Sequence, residues 1–163
     1  MLISKELATA INAQIGHEFG ASMQYLSIAA HFEREKLRLL AKLFIEQAAE
    51  EREHAMKFVR YLLDTSAPLQ IPAIPAAKHT FSSAESAVKA ALDWEMGVTA
   101  QITKLMDIAQ AKNDYLSQNF LQWFIDEQLE EIRKMDGILS VVRRAGEKSL
   151  LMVEAYLVHD GNR

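Results

Sequence analysis

Glu51 and His54 stand three positions apart in the run EEREHAMKF, residues 50–58, with no helix breaker among them. On a helix that spacing stacks a carboxylate and an imidazole one turn apart on the same face. Carboxylate oxygen beside imidazole nitrogen is a ligand set for a divalent cation. One exposed pair would mean little, so its significance depends on what the chain places opposite it. Three more acids share its setting, each interrupting an apolar stripe of three- and four-residue steps. The first stripe runs Ile11, Ile15, Glu18, Ser22, Tyr25, Ala29, Phe32, and the second Leu40, Phe44, Gln47, Glu51, His54, Phe58, Tyr61. The third is Val88, Leu92, Glu95, Thr99, Ile102, Met106, and the fourth Phe120, Phe124, Gln128, Glu131, Met135, Ile138, Val142.

Such stripes need long helices. All three prolines, Pro68, Pro72 and Pro75, fall within residues 65–81 and leave unbroken helical sequence on both sides. Helices are expected at about 4–33 (α1), 38–64 (α2), 83–111 (α3), 115–144 (α4) and, short, 147–159 (α5). Ser82 and Glu85 read as a capping box opening α3, and Asn113 as the cap of α4. Arg143, Arg144 and Gly146 mark the end of α4. Few residues separate α1 from α2 and α3 from α4, so each pair forms an antiparallel hairpin. The segment 65–81 can reach roughly 55–60 Å, more than the about 40 Å of α2. It can therefore run the length of a bundle and make α2 and α3 parallel. The expected fold class is all-α: a four-helix bundle with one long crossover and a short fifth C-terminal helix, in one domain spanning residues 1–163.

Bulk composition narrows the chemistry. The chain has 163 residues, half of them hydrophobic, enough for one core. With 18 basic and 22 acidic residues its formal charge is −4, so cations are better guests than nucleic acid or anionic membrane. No apolar run approaches the ~20 residues of a membrane span, and the start MLISKELATA lacks the pattern of a signal peptide, which reads as cytoplasmic. There is no cysteine, hence no disulfide, iron–sulfur cluster, rubredoxin-type centre or zinc finger, and any metal must be held by oxygen and nitrogen.

A lone Glu on an apolar stripe is more often a boundary residue whose carboxylate reaches water than a ligand. Four in one core would repel one another and lose hydration at several kcal/mol per ion. The stripes contain no Arg or Lys to neutralise them. Two divalent cations would cancel Glu18, Glu51, Glu95 and Glu131, with His54 supplying nitrogen. Iron or manganese suits this set, and zinc fits it too. Two metals sharing carboxylates form a centre for oxygen chemistry.

Glu18, the EREH run from Glu51 to His54, Glu95 and the EQLEE run from Glu127 to Glu131 resemble the bacterial non-haem ferritins, over essentially the whole chain. Ferritin-like di-iron bundles carry one Glu from each of two helices and Glu-x-x-His from each of the other two. Here Gln128-x-x-Glu131 replaces the second Glu-x-x-His, the departure that separates ferritins from bacterioferritins and symmetrical di-iron enzymes. The resemblance implies that Glu18, Glu51 and His54 hold one iron, and that Glu51 as bridge, Glu95 and Glu131 hold a second, with Gln128 a hydrogen-bonding neighbour. Glu50, Glu127 and Glu130 match a third iron site on the cavity side; by residue type alone they are solvated helix-face acids. Tyr25 matches a tyrosine able to donate an electron, and serves equally as a core aromatic.

The implied function is ferroxidase and iron storage. Fe(II) is oxidised by O2 or H2O2, and ferric mineral is stored in a twenty-four-subunit homo-oligomeric shell (24-mer), with α5 resembling the element that lines its fourfold channels. Bacterioferritins bind haem through a methionine in the segment aligned with EREH; Arg52 occupies that position, so no haem is expected. One rival is a di-iron peroxidase of the rubrerythrin kind, opposed by the missing cysteine centre and second Glu-x-x-His. Another is a metal-buffering shell without redox turnover, opposed by the complete ligand set. Mini-ferritins that protect DNA build their site across an interface and lack α5. Trp123 is expected to pack, and His17, His31, His79 and His159 have no ligand-spaced partner.

Overall fold

α1 spans Lys5–Arg34, α2 Arg38–Asp64, α3 Ala84–Ala111 and α4 Tyr115–Ala145; a 3-10 turn, Glu147–Ser149, leads into α5, Leu150–Asp160. This is a computed structural model, and it describes residues 1–160. Contacts fix the helix directions. Ser22 Oγ donates to Ala48 O while Leu2 N donates to Thr65 O, so α1 and α2 run antiparallel. Tyr61 pairs with Ser117 and Gln47 with Glu131, so α2 and α4 are antiparallel as well. With α3 and α4 forming a short hairpin, α2 and α3 are parallel, and the connection between them runs the length of the bundle. Among the described residues no helix is long and apolar enough to cross a membrane.

The core divides into two apolar clusters. One gathers Tyr25, Phe32 and Phe44 with the early part of α3 and the late part of α4. The other gathers Ile11, Ile15, Phe58 and Phe124 with the late part of α3. Between them, at mid-bundle, lie the acids.

Helix ends differ in detail from the sequence expectation. Ser83, not Ser82, is the N-cap of α3, and its reciprocal partner is Ser86, with both bonds at 3.0 Å. Glu85 instead accepts from Arg143 Nε at 2.7 Å. Asn113 does not cap α4. It takes a left-handed φ of 52° to end α3, and Asp114 then caps α4 by accepting from Ser117 N at 3.0 Å. A tight hairpin needs a left-handed residue, and asparagine tolerates that conformation. Gly146, at φ 69°, ends α4 as its position suggests.

The crossover is seated on a track along α1 that apolar periodicity does not reveal. Asn12, Gly16, Gly20 and Gln24, one turn apart, are all buried. Asn12 donates to Pro68 O and accepts from Gln70 N; Gln24 donates to Lys78 O and accepts from Lys78 N. Between these clamps, a Cβ on Gly16 would lie 2.5 Å from Pro72 Cγ, and one on Gly20 would lie 3.2 Å from Trp94. Two extended residues advance about 6.6 Å and one helical turn about 5.4 Å, so chain and helix nearly keep step from Asn12 to Gly20. The last turn, to Gln24, instead takes four residues, Ile74 to Lys78.

α5 is anchored to the bundle by two acids on helix N-termini. Glu154 accepts from Leu39 N and Leu40 N, each at 2.9 Å, at the start of α2, whose own N-cap Leu37 has no side-chain acceptor. Glu147 accepts from Ala84 N and Glu85 N at 3.3 Å at the start of α3. Negative charge is favourable at both places.

The seated crossover generates a stability prediction. Gly16→Ala forces either the rigid Pro72 ring or α1 to move and should cost about 1–3 kcal/mol, and Asn12→Ala about the same through a stranded backbone amide. Gly97→Ala, with nothing within 4 Å of the new methyl, should be neutral or stabilising. Thermal and urea unfolding of the three variants checks the order.

Candidate metal centre

Glu18, Glu51, Glu95 and Glu131 are each at most 1% exposed, and His54 is 5% exposed. Each acid comes from a different helix, because each stripe turns its midpoint toward the bundle axis. Two triads form. In Glu18, Glu51 and His54, and again in Glu51, Glu95 and Glu131, one ligand atom from each residue lies within 4.8 Å of the other two. Glu51 belongs to both. His54 Nδ1 lies 3.2 Å from Glu51 Oε2, and the ring is held edge-on against Trp123 and Phe124.

Neutral donors aim the carboxylates. Gln14 donates to Glu18 Oε1 at 2.8 Å, Gln47 to Glu131 Oε2 at 2.7 Å and Gln128 to Glu95 Oε2 at 3.1 Å. The Tyr25 hydroxyl donates to Glu95 Oε1. Two buried oxygens, Glu18 Oε2 and Glu51 Oε1, have no hydrogen-bond partner, and they belong to the acids of the triad that contains His54. A buried carboxylate oxygen without a donor is costly unless a cation or a proton occupies it. The donor set, oxygen with one imidazole nitrogen, fits two divalent cations that share Glu51.

Without a cation the acids favour protons. Burial, then Glu51, pushes Glu18 well above the usual carboxylate range; burial, then Glu95, does the same to Glu51. Burial raises Glu95 against the hydrogen bonds of Tyr25 and Gln128. Glu131 is raised by burial to about 7, with Lys134 opposing.

Lys134 corrects the expectation that no cationic side chain reaches these acids. It is absent from the buried stripe, yet its ammonium lies 3.5 Å from Glu131 Oε1 and 3.3 Å from Glu50 Oε2 and donates to Gln47 Oε1. The long stem carries the charge across from the solvated side of α4. The three acids of the expected third site are not gathered in the structure. Glu50 faces Lys134, Glu127 Oε1 lies 3.8 Å from His54 Nε2, and Glu130 is exposed. Trp123 packs against His54 and Phe124 while Lys57 sits over its ring at 4.2 Å. His17 is exposed, and His31 is buried edge-on against Phe32 and Phe81. Gln14 was missed as a partner of the centre although it sits one turn before Glu18, a spacing that could have signalled it.

The fold and this buried carboxylate–histidine cluster define a class of four-helix bundles with a candidate metal centre. A model of the ferritin-like domain matches residues 8–145. The ferritin BfrB of Mycolicibacterium smegmatis is 41% identical over 150 residues, 92% of this chain and 82% of that one. The bacterial non-heme ferritin of Staphylococcus aureus is 36% identical over 148 residues, covering 91% and 89%. The crystal structure of an open pore ferritin from the hyperthermophilic archaeon Archaeoglobus fulgidus superposes with a TM-score of 0.92 at 29% identity, covering 96% of each chain. The chain belongs to the ferritin family.

The raised carboxylates give a pH prediction whose sign follows from linkage. Between the unfolded value of about 4.3 and the folded value of about 7, the metal-free native state holds more protons at Glu131 than the unfolded chain does. This contribution to stability is full below about pH 4.3 and is lost as pH rises through about 7. Metal-free Glu131→Gln should therefore lose less stability than the parent between about pH 5 and 8. Parent protein with added Zn2+ should instead gain stability over that range, because metal replaces protons. Melting curves with and without chelator read both.

Proposed function

We propose that this chain is a ferroxidase and iron-storage subunit, with residues 1–163 forming one ferritin-like domain. The observation that carries the reading is the position of Glu51 in both buried triads, beside two carboxylate oxygens with no donor. Glu18, Glu51 and His54 receive one Fe(II), and Glu51, Glu95 and Glu131 a second. Glu50, Glu127 and Glu130 are not gathered here, and a third, weaker position would need them to rearrange, Glu50 first leaving Lys134. Gln14, Gln47 and Gln128 orient the ligands, so that little reorganisation accompanies metal entry.

Iron is the substrate here. Each of two Fe(II) ions gives up one electron, and O2 takes up two electrons and two protons to become H2O2; with H2O2 as oxidant, two electrons and two protons yield two waters. Anionic oxygen ligands favour Fe(III) over Fe(II), which drives the step forward. Protons displaced from the buried acids when metal binds are available for it. Tyr25, hydrogen-bonded to Glu95, could give one of these two electrons, with its hydroxyl proton, where one Fe(II) is lacking. The Fe(III) then passes to a mineral held in a twenty-four-subunit cytoplasmic shell, where α5 lines the fourfold channels.

Glu51→Ala removes a ligand from both positions at once. It should slow oxidation of the first two Fe(II) per chain by well over about tenfold, while Glu35→Ala, an exposed control, should leave it unchanged. Stopped-flow absorbance after anaerobic loading measures the rate, and sizing of the same samples reports the shell. Equal rates in the two variants would sink the assignment.

A further inference from the structure

A groove of about 550 Å3 opens between α2, α4 and α5, with Gln47, Glu50 and Lys134 in its wall. Two of these side chains touch the buried centre from outside: Gln47 donates to Glu131, and the Lys134 ammonium lies 3.5 Å from Glu131 Oε1. The groove therefore leads to the Glu131 side of the centre, and Lys134 stands where the two meet. Its ammonium is shared among Glu131, Glu50 at 3.3 Å and the Gln47 carbonyl oxygen.

On the groove side the charges balance locally. Glu18, Glu51, Glu95 and Glu131 balance two divalent cations; Glu127 adds a negative charge on the His54 side, and Glu50 adds one on the groove side. One ammonium balances Glu50. A third divalent ion approaching through the groove would need the same oxygens, and it would meet a positive charge already seated on them. A lysine on a flexible stem can be displaced, because it holds these oxygens as a point charge through single hydrogen bonds.

We propose that Lys134 is a tethered counter-cation that sets how many metal ions this chain takes, balancing Glu50 on the groove side of a two-ion centre and yielding Glu50 and Glu131 to a third ion only when displaced. This rests on the two-ion reading above. Lys134 is thus a positioning residue, acting on metal binding through Glu50 and Glu131.

The test is calorimetric titration of the assembled, metal-free, full-length protein with Zn2+ at about pH 7, comparing parent, Lys134→Gln, Lys134→Arg and Lys134→Gln/Glu50→Gln. The parent should take two tight ions per chain and any third weakly. Lys134→Gln should tighten the third ion by roughly tenfold or more, the scale expected when a unit charge at contact distance is removed from a partly solvated site. Lys134→Arg, which keeps the charge, should behave as the parent does, and adding Glu50→Gln should abolish the gain. If Lys134→Gln does not assemble, Lys134→Met makes the same comparison. Third-ion affinities equal within about twofold in parent, Lys134→Gln and Lys134→Arg, with the pair intact, would overturn the role of Lys134 and leave the two-ion centre standing. A parent that binds no tight pair would overturn both.

Discussion

The structure depends on a layer of buried carboxylates set between two apolar clusters. Each acid taken from water costs several kcal/mol unless something replaces its hydration. Here amide and hydroxyl donors replace part of it: three glutamines and Tyr25 each hold one carboxylate oxygen. They leave Glu18 Oε2 and Glu51 Oε1 without a donor. The apolar clusters on either side supply the burial that lets the bundle carry such a layer. A metal site assembled this way is strained toward occupancy, since protons or cations must fill what the donors leave open.

A layer one residue thick requires the helices to keep their axial positions. A slide of one turn would carry Glu18 or Glu95 about 5.4 Å out of the plane. The crossover resists such a slide, because Asn12 and Gln24 clamp it by backbone hydrogen bonds and Gly16 admits the Pro72 ring. At the opposite end of the chain, α5 and the 3-10 turn before it tie the starts of α2 and α3 together through Glu154 and Glu147. Segments far from the centre in sequence thus fix where its ligands stand.

The centre is not symmetric. Beside His54 it is walled by Trp123 and Phe124, whereas beside Glu131 it meets a solvent groove with a lysine at the junction. Burial sets the same tendency in every acid; at Glu131 the Lys134 ammonium is the foremost opposing influence, and it acts on Glu95 as well.

Helical periodicity alone determined the four long elements and the hairpin pairing, and it put Glu18, Glu51, His54, Glu95 and Glu131 on inward faces. These follow from local geometry, since a 3.6-residue repeat fixes which side chains share a face and the prolines confine the break to one segment. Gln47 and Gln128 were visible on the same stripes. Tertiary structure decided what depends on reach and on distant partners. Lys134 flanks the α4 stripe three residues after Glu131, a spacing that admits their contact, but only the fold brings Gln47 and Glu50 of α2 to its long stem. Asn12 and Gln24 look like ordinary polar residues until the crossover lies over them. Ser83 displaced Ser82 as cap while Glu85 turned to Arg143, and Glu50 and Glu127 were drawn to different neighbours, Lys134 and His54. Apart from the local Ser83–Ser86 and Glu131–Lys134 contacts, the outcome was set by partners brought together only by the fold, which spacing along one helix does not encode.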